Sequence, residues 1–368
     1  MLKVLYLINH AGKAGTERYV YSLIKSLHGT KIEAYFAYNE EGLLVEWVRE
    51  LGITPKQIRM DSPLDIPAAN MVKTYCEEKG ISIIHTQYLR ENYISMLSKL
   101  VSKERKVFYT NHFVMDKSKA LRYANKIFNP LQEQVIAVCN KGREMLIENG
   151  VDPEKIQVIF NGVDVNYWGE SFQSTIRSEL GIGGEDFVFL CGSRFAHDKG
   201  HKYLIKSVAE LKKRTSKPFR CILSNDGPLL EECKDLVKEL KLEKDVVFTG
   251  YRKDVKNLIY GADLYINSSE HEALSFAIIE VLACRTPVIA TNMAGNGDII
   301  NGETNCGILV EYNNEVMLAE SIQDLMENSK KLDLYKENAF KAAMDRFNLD
   351  KMVEKTYNLY ELSVKKIK

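Results

Sequence analysis

The strongest constraint on the fold is a rhythm of short apolar runs that alternate with amphipathic stretches along most of the chain. Apolar runs of this length between helices indicate parallel strands that helices cover on both faces. The rhythm restarts near residue 187, so it predicts an α/β protein with two doubly wound domains in series. The predicted strands lie at 3–9, 32–38, 81–87, 106–112, 134–139, 156–162, 187–194, 219–225, 245–250, 262–269, 286–292 and 306–311, and helices are predicted at 18–27, 202–214, 229–241 and 276–284.

The length of the chain also favours two domains. A chain of 368 residues exceeds what one hydrophobic core usually serves. We predict a first domain over 1–163 and a second over 187–345. The stretch 164–186 is polar, irregular and contains glycine, so it is expected to link them. A C-terminal helix is predicted over 346–368, and it could cross back to the N-terminal domain.

The composition argues against several classes of protein. Fifty basic residues balance fifty acidic residues, whereas nucleic-acid binding favours a basic domain. The first apolar run is too short for a signal peptide, and no run of about 18 apolar residues predicts a membrane span. The seven cysteines are scattered and form no C-x-x-C, which is typical of reduced cytoplasmic thiols. We expect a cytoplasmic protein with no nucleic-acid partner and no metal held by cysteines.

Polar residues that directly follow the predicted strands are the first candidates for a binding site. Ligands of doubly wound sheets bind beyond the carboxyl ends of the strands, often at a helix N-terminus. Each candidate also has an ordinary structural interpretation when it is taken alone: a glycine in a tight turn, a core histidine, or a solvated charge. The candidates are Gly12, Gly15 and Thr16 after the first strand, His112 at the end of the fourth, Arg194 and Lys199 after the first strand of the second half, and Glu272 after the strand that ends at Ser269.

The segment EALSFAIIE, residues 272–280, places a glutamate at each end of an apolar stretch. Ser275 is a plausible N-cap, which predicts a helix from Phe276. Glu272 then precedes the backbone N–H groups from Leu274 onward, and Glu280 lies in the second turn, roughly 12 Å away at 1.5 Å per residue. A nucleotide sugar presents sugar hydroxyls, a diphosphate and ribose hydroxyls over a comparable length.

The chemistry of such a ligand matches this order of residues. One glutamate can accept hydrogen bonds from the sugar hydroxyls, and the other can accept them from the ribose diol. The positive end of the helix dipole faces the diphosphate between them. Arg194 and Lys199 supply the full positive charges that two phosphates require.

The sequence resembles a retaining glycosyltransferase of the large family 4, through motifs in the order typical of that family. Its glutamate signature has seven intervening residues, as between Glu272 and Glu280. The matching segments are NHAGKAGTERYVYSLIKSL, ISIIHTQ, VFYTNH, VIAVCNKGREMLIENGVDPEKIQVIFNGVDVNYW, GSRFAHDKGHKYLIKS, SNDGPL, VVFTGYRKDV and EHEALSFAIIEVLACRTPVIAT.

The resemblance implies the GT-B fold, in which two Rossmann-like domains face each other across a cleft. The N-terminal domain would bind the acceptor, and the C-terminal domain would bind a nucleoside diphosphate sugar. His112 would orient the donor sugar, Glu272 would hold other sugar hydroxyls, and Arg194 and Lys199 would stabilise the leaving diphosphate. The reaction would transfer a sugar to a saccharide or lipid-linked hydroxyl with retention of configuration, in cell-surface glycan or glycolipid synthesis, with no cofactor and no metal.

The residues proposed to bind the donor extend beyond these four. Gly15 and Thr16 belong to the N-terminal glycine loop, and Leu274, Ser275 and Phe276 supply backbone N–H groups. The segment TGYRKDV, with Gly250, Tyr251 and Val255, offers backbone and small pockets suited to a pyrimidine. We therefore expect a UDP-sugar, while GDP-mannose stays open.

The chain also departs from the usual motifs of the family. Ala273, Leu274 and Ser275 stand where Gly-Phe-Gly is common, and Lys13-Ala14-Gly15 replaces paired glycines. Ala294-Gly295 with Asp298 replaces Gly-Gly with a following glutamate. These changes concern the specificity for the sugar. A sugar phosphorylase of the same fold and a non-catalytic subunit that binds nucleotide sugars stay open, whereas a nicotinamide dehydrogenase lacks its G-x-G-x-x-G signature.

Residues 99–126 contain an excess of basic residues in an otherwise neutral protein. This excess could contact anionic lipid head groups, and a solvated basic face is an equally good interpretation. The basic residues are Lys99, Lys103, Arg105, Lys106, Lys117, Lys119, Arg122 and Lys126, against Glu104 and Asp116.

Overall fold

The computed structural model describes residues 1–100, 105–113 and 117–365. The chain divides into two units that each combine a sheet with surrounding helices. Unit 1 comprises Met1–Asn161 and Leu349–Lys368, and unit 2 comprises Gly162–Asn348. Within the described residues, no helix combines the length and the apolar character that crossing a bilayer requires.

The strands and helices follow one another along most of the chain. The strands are β1 (Leu2–His10), β2 (Ile32–Glu40), β3 (Lys56–Gln57), β4 (Ile83–Thr86), β5 (Lys106–Asn111), β6 (Gln134–Ala137), β7 (Ile156–Val158), β8 (Phe187–Cys191), β9 (Phe219–Ser224), β10 (Val246–Gly250), β11 (Leu264–Asn267), β12 (Val288–Thr291) and β13 (Gly307–Val310). The helices are α1 (Gly15–Leu27), α2 (Leu43–Glu50), α3 (Ile66–Lys79), α4 (Leu89–Ser98), α5 (Lys119–Phe128), α6 (Asn140–Glu148), α7 (Val165–Gly169), α8 (Ile176–Glu179), α9 (His201–Arg214), α10 (Leu230–Glu239), α11 (Val255–Tyr260), α12 (Phe276–Ala283), α13 (Asn296–Ile299), α14 (Glu315–Glu327), α15 (Ser329–Arg346) and α16 (Leu349–Lys365).

Unit 1 contains a parallel sheet with the strand order β3-β2-β1-β4-β5-β6-β7. The run Val4–Ile8 in β1 is fully buried, because the strand lies in the middle of the sheet with helices on both faces. On α1, Tyr19, Leu23 and Ile24 are buried at helical spacing and form its core-facing stripe.

Unit 2 contains a second parallel sheet with the order β10-β9-β8-β11-β12-β13. Its main apolar cluster joins Phe189 of β8 to Leu204 and Val208 of α9 and to Leu318 and Ile322 of α14. The predicted α/β fold with two doubly wound sheets is therefore confirmed.

The order of strands reverses at one place in each sheet, and this places the loops that can bind a ligand. In unit 1 the chain runs outward from β1 to β2 and then returns to β4 on the other side of β1. In unit 2 the same reversal lies between β8 and β11. The loops that leave these strands diverge, which opens a crevice at the carboxyl edge of each sheet.

The stretch 164–186, for which the sequence predicts a link, contains α7 and α8 and belongs to unit 2. Its contacts within that unit are specific. The backbone N–H of Thr175 donates to Asn257 Oδ1 at 2.9 Å, and Arg177 pairs with Asp263 at 2.6 Å.

The C-terminal helix α16 belongs to unit 1, although unit 2 separates it from the rest of that unit along the chain. It brings Tyr360 into the core, where the Tyr360 hydroxyl forms a hydrogen bond with His85 Nδ1. The other ring nitrogen, His85 Nε2, lies 2.7 Å from Thr110 Oγ1, and Tyr19 Oη lies 3.2 Å from the same oxygen. Burial lowers the pKa of His85 to about 3, so this histidine is neutral in the folded protein.

Candidate functional site

In unit 2, helix α12 begins where the sequence predicts. Ser275 is its N-cap with an extended backbone, and the Ser275 hydroxyl accepts a hydrogen bond from the Ile278 N–H at 3.4 Å. The predicted cap and the predicted start at Phe276 are confirmed. Because α12 follows β11 directly, its positive N-terminal end lies at the carboxyl edge of the sheet, beside the reversal of strand order.

Lys199 and Glu272 form an ion pair at this edge. Lys199 Nζ lies 2.9 Å from Glu272 Oε1 and 3.2 Å from Asp198 Oδ2. The Ser269 hydroxyl donates to the same Glu272 oxygen at 3.0 Å. Burial alone lowers the pKa of Lys199, but attraction to Glu272 and Asp198 outweighs it and raises that pKa above its usual value. Lys199 is therefore a fixed positive charge.

Gly200 explains how Lys199 reaches Glu272. Its φ is +65°, and a Cβ atom there would lie 2.0 Å from the Ser268 carbonyl oxygen. Only glycine permits both this conformation and this close approach. The Ser268 hydroxyl also donates to the Lys199 carbonyl at 2.9 Å, which fastens the loop before α9 to the end of β11.

Arg194 and Glu280 differ in their surroundings. Arg194 is exposed in the loop after β8, and its side chain makes no ion pair within the described part of the chain. Glu280 is only 5% exposed in the second turn of α12. A carboxylate so far from water requires polar partners, so Glu280 is not a solvated surface residue.

The loop after β10 contains the remaining predicted residues of unit 2. Gly250 ends the strand with φ +67°, and its carbonyl accepts from the Asn225 N–H at 2.8 Å. Tyr251 is 56% exposed and Val255 38% exposed, so both are accessible to a ligand. Arg252 fixes the loop between them by pairing with Asp254 at 2.6 Å.

In unit 1, Gly15 and Thr16 begin helix α1 at the carboxyl end of β1. The N-cap, Ala14, offers no side chain to cap the helix. The buried Glu17 follows in the first turn, where its Oε1 accepts from the Tyr88 hydroxyl at 3.2 Å.

The sequence predicts His112 as the last residue of a strand; in the structure it directly follows β5 and is only partly accessible. His112 Nε2 lies 2.9 Å from Gln87 Oε1, which can only accept, so this nitrogen donates and Nδ1 is left as an acceptor. The His112 ring packs edge-on against Tyr19 with centroids 4.8 Å apart. Desolvation by the surrounding atoms lowers the pKa of His112 to about 3, so the ring is neutral at pH 7.

Sequence reasoning missed three polar residues of unit 1, one of which, Gln87, contacts His112. Gln87, Glu91 and Glu17 each have a buried polar side-chain atom without a hydrogen-bond partner within the described residues: Gln87 Nε2, Glu91 Oε2 and Glu17 Oε2. Glu91 Oε1 accepts from the Tyr88 N–H at 2.7 Å, and burial raises the pKa of Glu91 to about 8. Gln87 follows β4, so the rule that selected His112 would also have selected it.

The basic residues of 99–126 do not form one surface. Lys99 and Arg105 are buried, and they donate to the carbonyl oxygens of Leu131 at 2.6 Å and Ser98 at 3.0 Å. The prediction that these two cations contact lipid is therefore wrong. Lys106 pairs with Glu133 and Lys117 with Glu148, both at 2.9 Å, while Lys119, Arg122 and Lys126 are exposed on α5. Lys103, Glu104 and Asp116 lie outside the described residues.

The structure thus brings Lys199 and Glu272 into contact and places Ser275, Phe276 and Glu280 on the helix beside them. Leu274 is buried directly before the cap. Over the ranges that the structure describes, no group of three or more His, Cys, Asp or Glu residues is arranged to hold a metal ion.

Two parallel Rossmann-like sheets in one chain, each with polar residues where its strand order reverses, are the architecture of the GT-B fold. The family model for Glycosyltransferase Family 4 matches residues 14–167, and that for Glycosyl transferases group 1 matches residues 172–342. The chain belongs to this family of glycosyltransferases, and it is an enzyme of the glycosyl-transfer class.

Relatives and solved structures agree with this assignment. An N-acetylgalactosamine-N,N'-diacetylbacillosaminyl-diphospho-undecaprenol 4-alpha-N-acetylgalactosaminyltransferase of Campylobacter jejuni is 23% identical, over 92% of this chain and 94% of its own. The Escherichia coli UDP-Gal:alpha-D-GlcNAc-diphosphoundecaprenol alpha-1,3-galactosyltransferase is 26% identical, over 77% of this chain and 76% of its own. Anabaena HepE in complex with UDP superimposes with a TM-score of 0.88 at 22% identity, covering 98% of this chain and all of that one.

Proposed function

We propose that this enzyme transfers a sugar from a UDP-sugar to a hydroxyl group of a saccharide or lipid-linked acceptor, with retention of the anomeric configuration and without a metal. The observation that carries the proposal is the Lys199–Glu272 pair at 2.9 Å directly before α12, with the buried Glu280 in the second turn of the same helix. Glu272, the helix N-terminus with Lys199, and the buried Glu280 follow one another in the order of the sugar, the diphosphate and the ribose of a nucleotide sugar.

The leaving diphosphate is stabilised by charges held in place before the reaction. Lys199 has three N–H donors, so it can contact a phosphate oxygen and still donate to Glu272. Arg194 is exposed in the adjoining loop and can pair with the second phosphate. Together with the N-terminal dipole of α12, they supply electrostatic stabilisation where negative charge develops.

The two ends of the donor are held by carboxylates and by His112. Glu272 accepts from hydroxyls of the transferred sugar, and Glu280 accepts from the ribose diol. His112 donates Nε2–H to Gln87, so its Nδ1 can accept from a further sugar hydroxyl. A neutral imidazole suits this orienting role, since it adds no charge beside the reacting carbon.

Retention of the anomeric configuration fits a mechanism in which the acceptor attacks the donor sugar on the same face from which the diphosphate leaves. Glu272 is engaged by Lys199 and Ser269, which makes it a poor nucleophile. The leaving phosphate helps to deprotonate the acceptor hydroxyl on the face that it leaves. Uracil is favoured because Tyr251 and Val255, which the sequence assigns to a pyrimidine site, are accessible in the loop after β10. It is also favoured because a relative and a solved structure carry UDP-Gal and UDP in their names.

The test measures donor preference and stereochemistry together. Thermal shifts with UDP and GDP identify the base, and NMR of the sugar released from UDP-glucose, UDP-galactose and UDP-N-acetylglucosamine identifies the first anomer formed. Lys199→Ala should weaken UDP binding at least tenfold, because it removes a charged hydrogen bond of about 1.5–3 kcal/mol. Lys202→Ala is the matched control. Lys202 lies three residues after Lys199 in the sequence, and the substitution removes an exposed ion pair with Glu232 at 2.5 Å. Preference for GDP or first release of the inverted anomer would contradict the proposal.

We also propose a cytoplasmic enzyme that contacts the membrane surface through the outer face of α5. On this face Tyr123 is 70% and Ile127 72% exposed, flanked by Lys119, Arg122 and Lys126. Exposed apolar side chains beside cations are typical of helices that lie in a lipid interface. A lipid-linked acceptor would be presented at such a surface.

Vesicle flotation tests this contact. The protein should float with vesicles of phosphatidylglycerol and phosphatidylcholine at low salt but not with phosphatidylcholine alone. Replacing Lys119, Arg122 and Lys126 by glutamine should release it, whereas glutamine at Lys212, Lys213 and Arg214 of α9 should not. No retention at low salt, or equal retention of both triple variants, would refute the contact.

A further inference from the structure

Unit 1 has a concave surface at the ends of β2 and β3, apart from His112. This groove has a volume of about 560 Å³, within the range of small-molecule sites. It shares the carboxyl edge of the sheet with the predicted site residues, because β2 and β3 lie beside β1. Its polar lining includes Asn39, Glu40, Gln57, Arg59, Asp61 and Arg90.

The floor of the groove is held by hydrogen bonds that require no ligand. Asn39 Nδ2 donates to Asn9 Oδ1 at 2.9 Å, and Asn39 Oδ1 accepts from the Met60 N–H at 2.9 Å. Arg90 Nη1 donates to the Met60 carbonyl at 2.8 Å. A surface fixed in this way needs little reorganisation when a ligand binds.

The charges on the lining cancel. Arg59 pairs with Asp61 at 2.8 Å, and Glu40 lies 3.2 Å from His10. Arg59 and Arg90 together balance Glu40 and Asp61, so the groove offers no surplus positive charge to a phosphate.

Planar polar groups are what remains for a ligand to contact. Amide, guanidinium and carboxylate groups bind neighbouring hydroxyls well, because each offers two donors or acceptors in a fixed geometry. The thioether of Met71, 44% exposed at the rim, provides an apolar surface for C–H groups. Polar edges with one apolar contact suit an uncharged sugar ring.

We propose that this groove is a subsite for a neutral sugar of the acceptor. The inference rests on the proposed function, in which His112 marks the reacting end. The end of β2 is three strands from the end of β5, or about 14 Å at 4.8 Å per strand, which is more than one sugar ring spans. The ring in the groove is therefore a different ring from the one that receives the new sugar, and the acceptor is at least a disaccharide.

The test uses the full chain and defined saccharides. Saturation-transfer NMR is recorded with methyl glycosides of glucose, galactose and N-acetylglucosamine and with their di- and trisaccharides. Gln57→Ala and Arg59→Ala remove exposed groups of the groove. Thermal melting checks the Gln57 variant, because the Gln57 amide also donates to the Asn39 carbonyl at 3.1 Å. Lys25→Ala removes an exposed cation from the last turn of α1, at the opposite edge of the same sheet, and is the control.

At least one di- or trisaccharide should bind more tightly than its monosaccharide, and either groove variant should weaken it about tenfold, the effect of one hydrogen bond to a charged or amide group. The Lys25→Ala protein should bind it as the wild type does. Equal binding by all variants, or no saccharide binding while UDP still binds, overturns the subsite. UDP binding and UDP-sugar hydrolysis are measured on the same samples, and their absence from the wild type would instead overturn the proposed function.

Discussion

Replacing Glu272 and Glu280 by alanine should have different effects on UDP binding and on sugar transfer. Glu280 is proposed to bind the ribose diol, which is present in the donor and in released UDP alike. Loss of a hydrogen bond to a charged group is worth about 1.5–3 kcal/mol, so Glu280→Ala should weaken UDP binding about 10- to 100-fold. Glu272 is proposed to contact only the transferred sugar.

The ion pair sets the expected size of the Glu272 effect. At 2.9 Å between Lys199 Nζ and Glu272 Oε1, the Coulomb attraction is about 6 kcal/mol at an effective dielectric constant of about 20, before desolvation is subtracted. Removing Glu272 leaves Lys199 with Asp198 alone and frees its charge for the diphosphate. UDP affinity should therefore stay unchanged or rise by up to about tenfold, while transfer falls because the sugar loses its attack geometry.

Calorimetric titration of UDP, beside turnover of the full donor, makes the comparison. Glu320→Ala is the control, because it removes an exposed carboxylate that pairs with Arg214 at 3.1 Å in the same unit. Thermal melting of each variant checks the fold. Equal losses of UDP affinity in both glutamate variants, with melting unchanged, would show that the two ends of the donor are assigned wrongly.

Three further changes test other parts of the argument. Because protein charges are proposed to meet those of the diphosphate, activity should survive EDTA; loss with rescue by Mg²⁺ or Mn²⁺ would disprove this. Burial raises the pKa of the Glu91 carboxyl from 4.5 to about 8, so the folded protein loses stability as the pH rises between these two values. Glu91→Gln should therefore raise the melting temperature more at pH 8 than at pH 5. Equal shifts at the two pH values would refute this. Gly200→Ala should lower the melting temperature by several degrees, because a left-handed alanine costs about 1–2 kcal/mol and its Cβ would lie 2.0 Å from a backbone oxygen. Gly184→Ala is the control and should not lower it, because a Cβ at Gly184 would have no atom within 4 Å. Similar melting temperatures of the two variants would contradict the close packing at Gly200.

The sequence predicted the architecture because a parallel sheet has a strong signature. Strands buried on both faces must be apolar throughout, as Val4–Ile8 of β1 is, and such runs stand out between amphipathic helices. Strand β3 has no such signature, since Lys56 and Gln57 are both exposed at the edge of the sheet. The helices α7 and α8 of the stretch 164–186 have five and four residues, which is too short for a helical pattern of apolar residues to show in the sequence.

Individual site residues were easier to predict than their partners. The N-cap Ser275 is a local feature, so its residue type and the apolar run after it were sufficient to predict where α12 begins. The pair of Lys199 with Glu272 joins two loops 73 residues apart, and it depends on the close approach at Gly200. The number of basic residues in 99–126 likewise gave a wrong prediction of exposure for Lys99 and Arg105. Both cations are buried because backbone carbonyl groups accept their hydrogen bonds, and the sequence pattern does not show such partners.

Helix α16 has a consequence for the order in which the enzyme folds during synthesis. Domains generally fold as they emerge, with the N-terminal domain first. Here Tyr360, the partner of His85 in the core of unit 1, is translated after the whole of unit 2. A nascent chain that ends at residue 348 lacks this fully buried side chain and its hydrogen bond to His85. Unit 2 should therefore reach its final stability on the ribosome before unit 1, which begins first and is completed last.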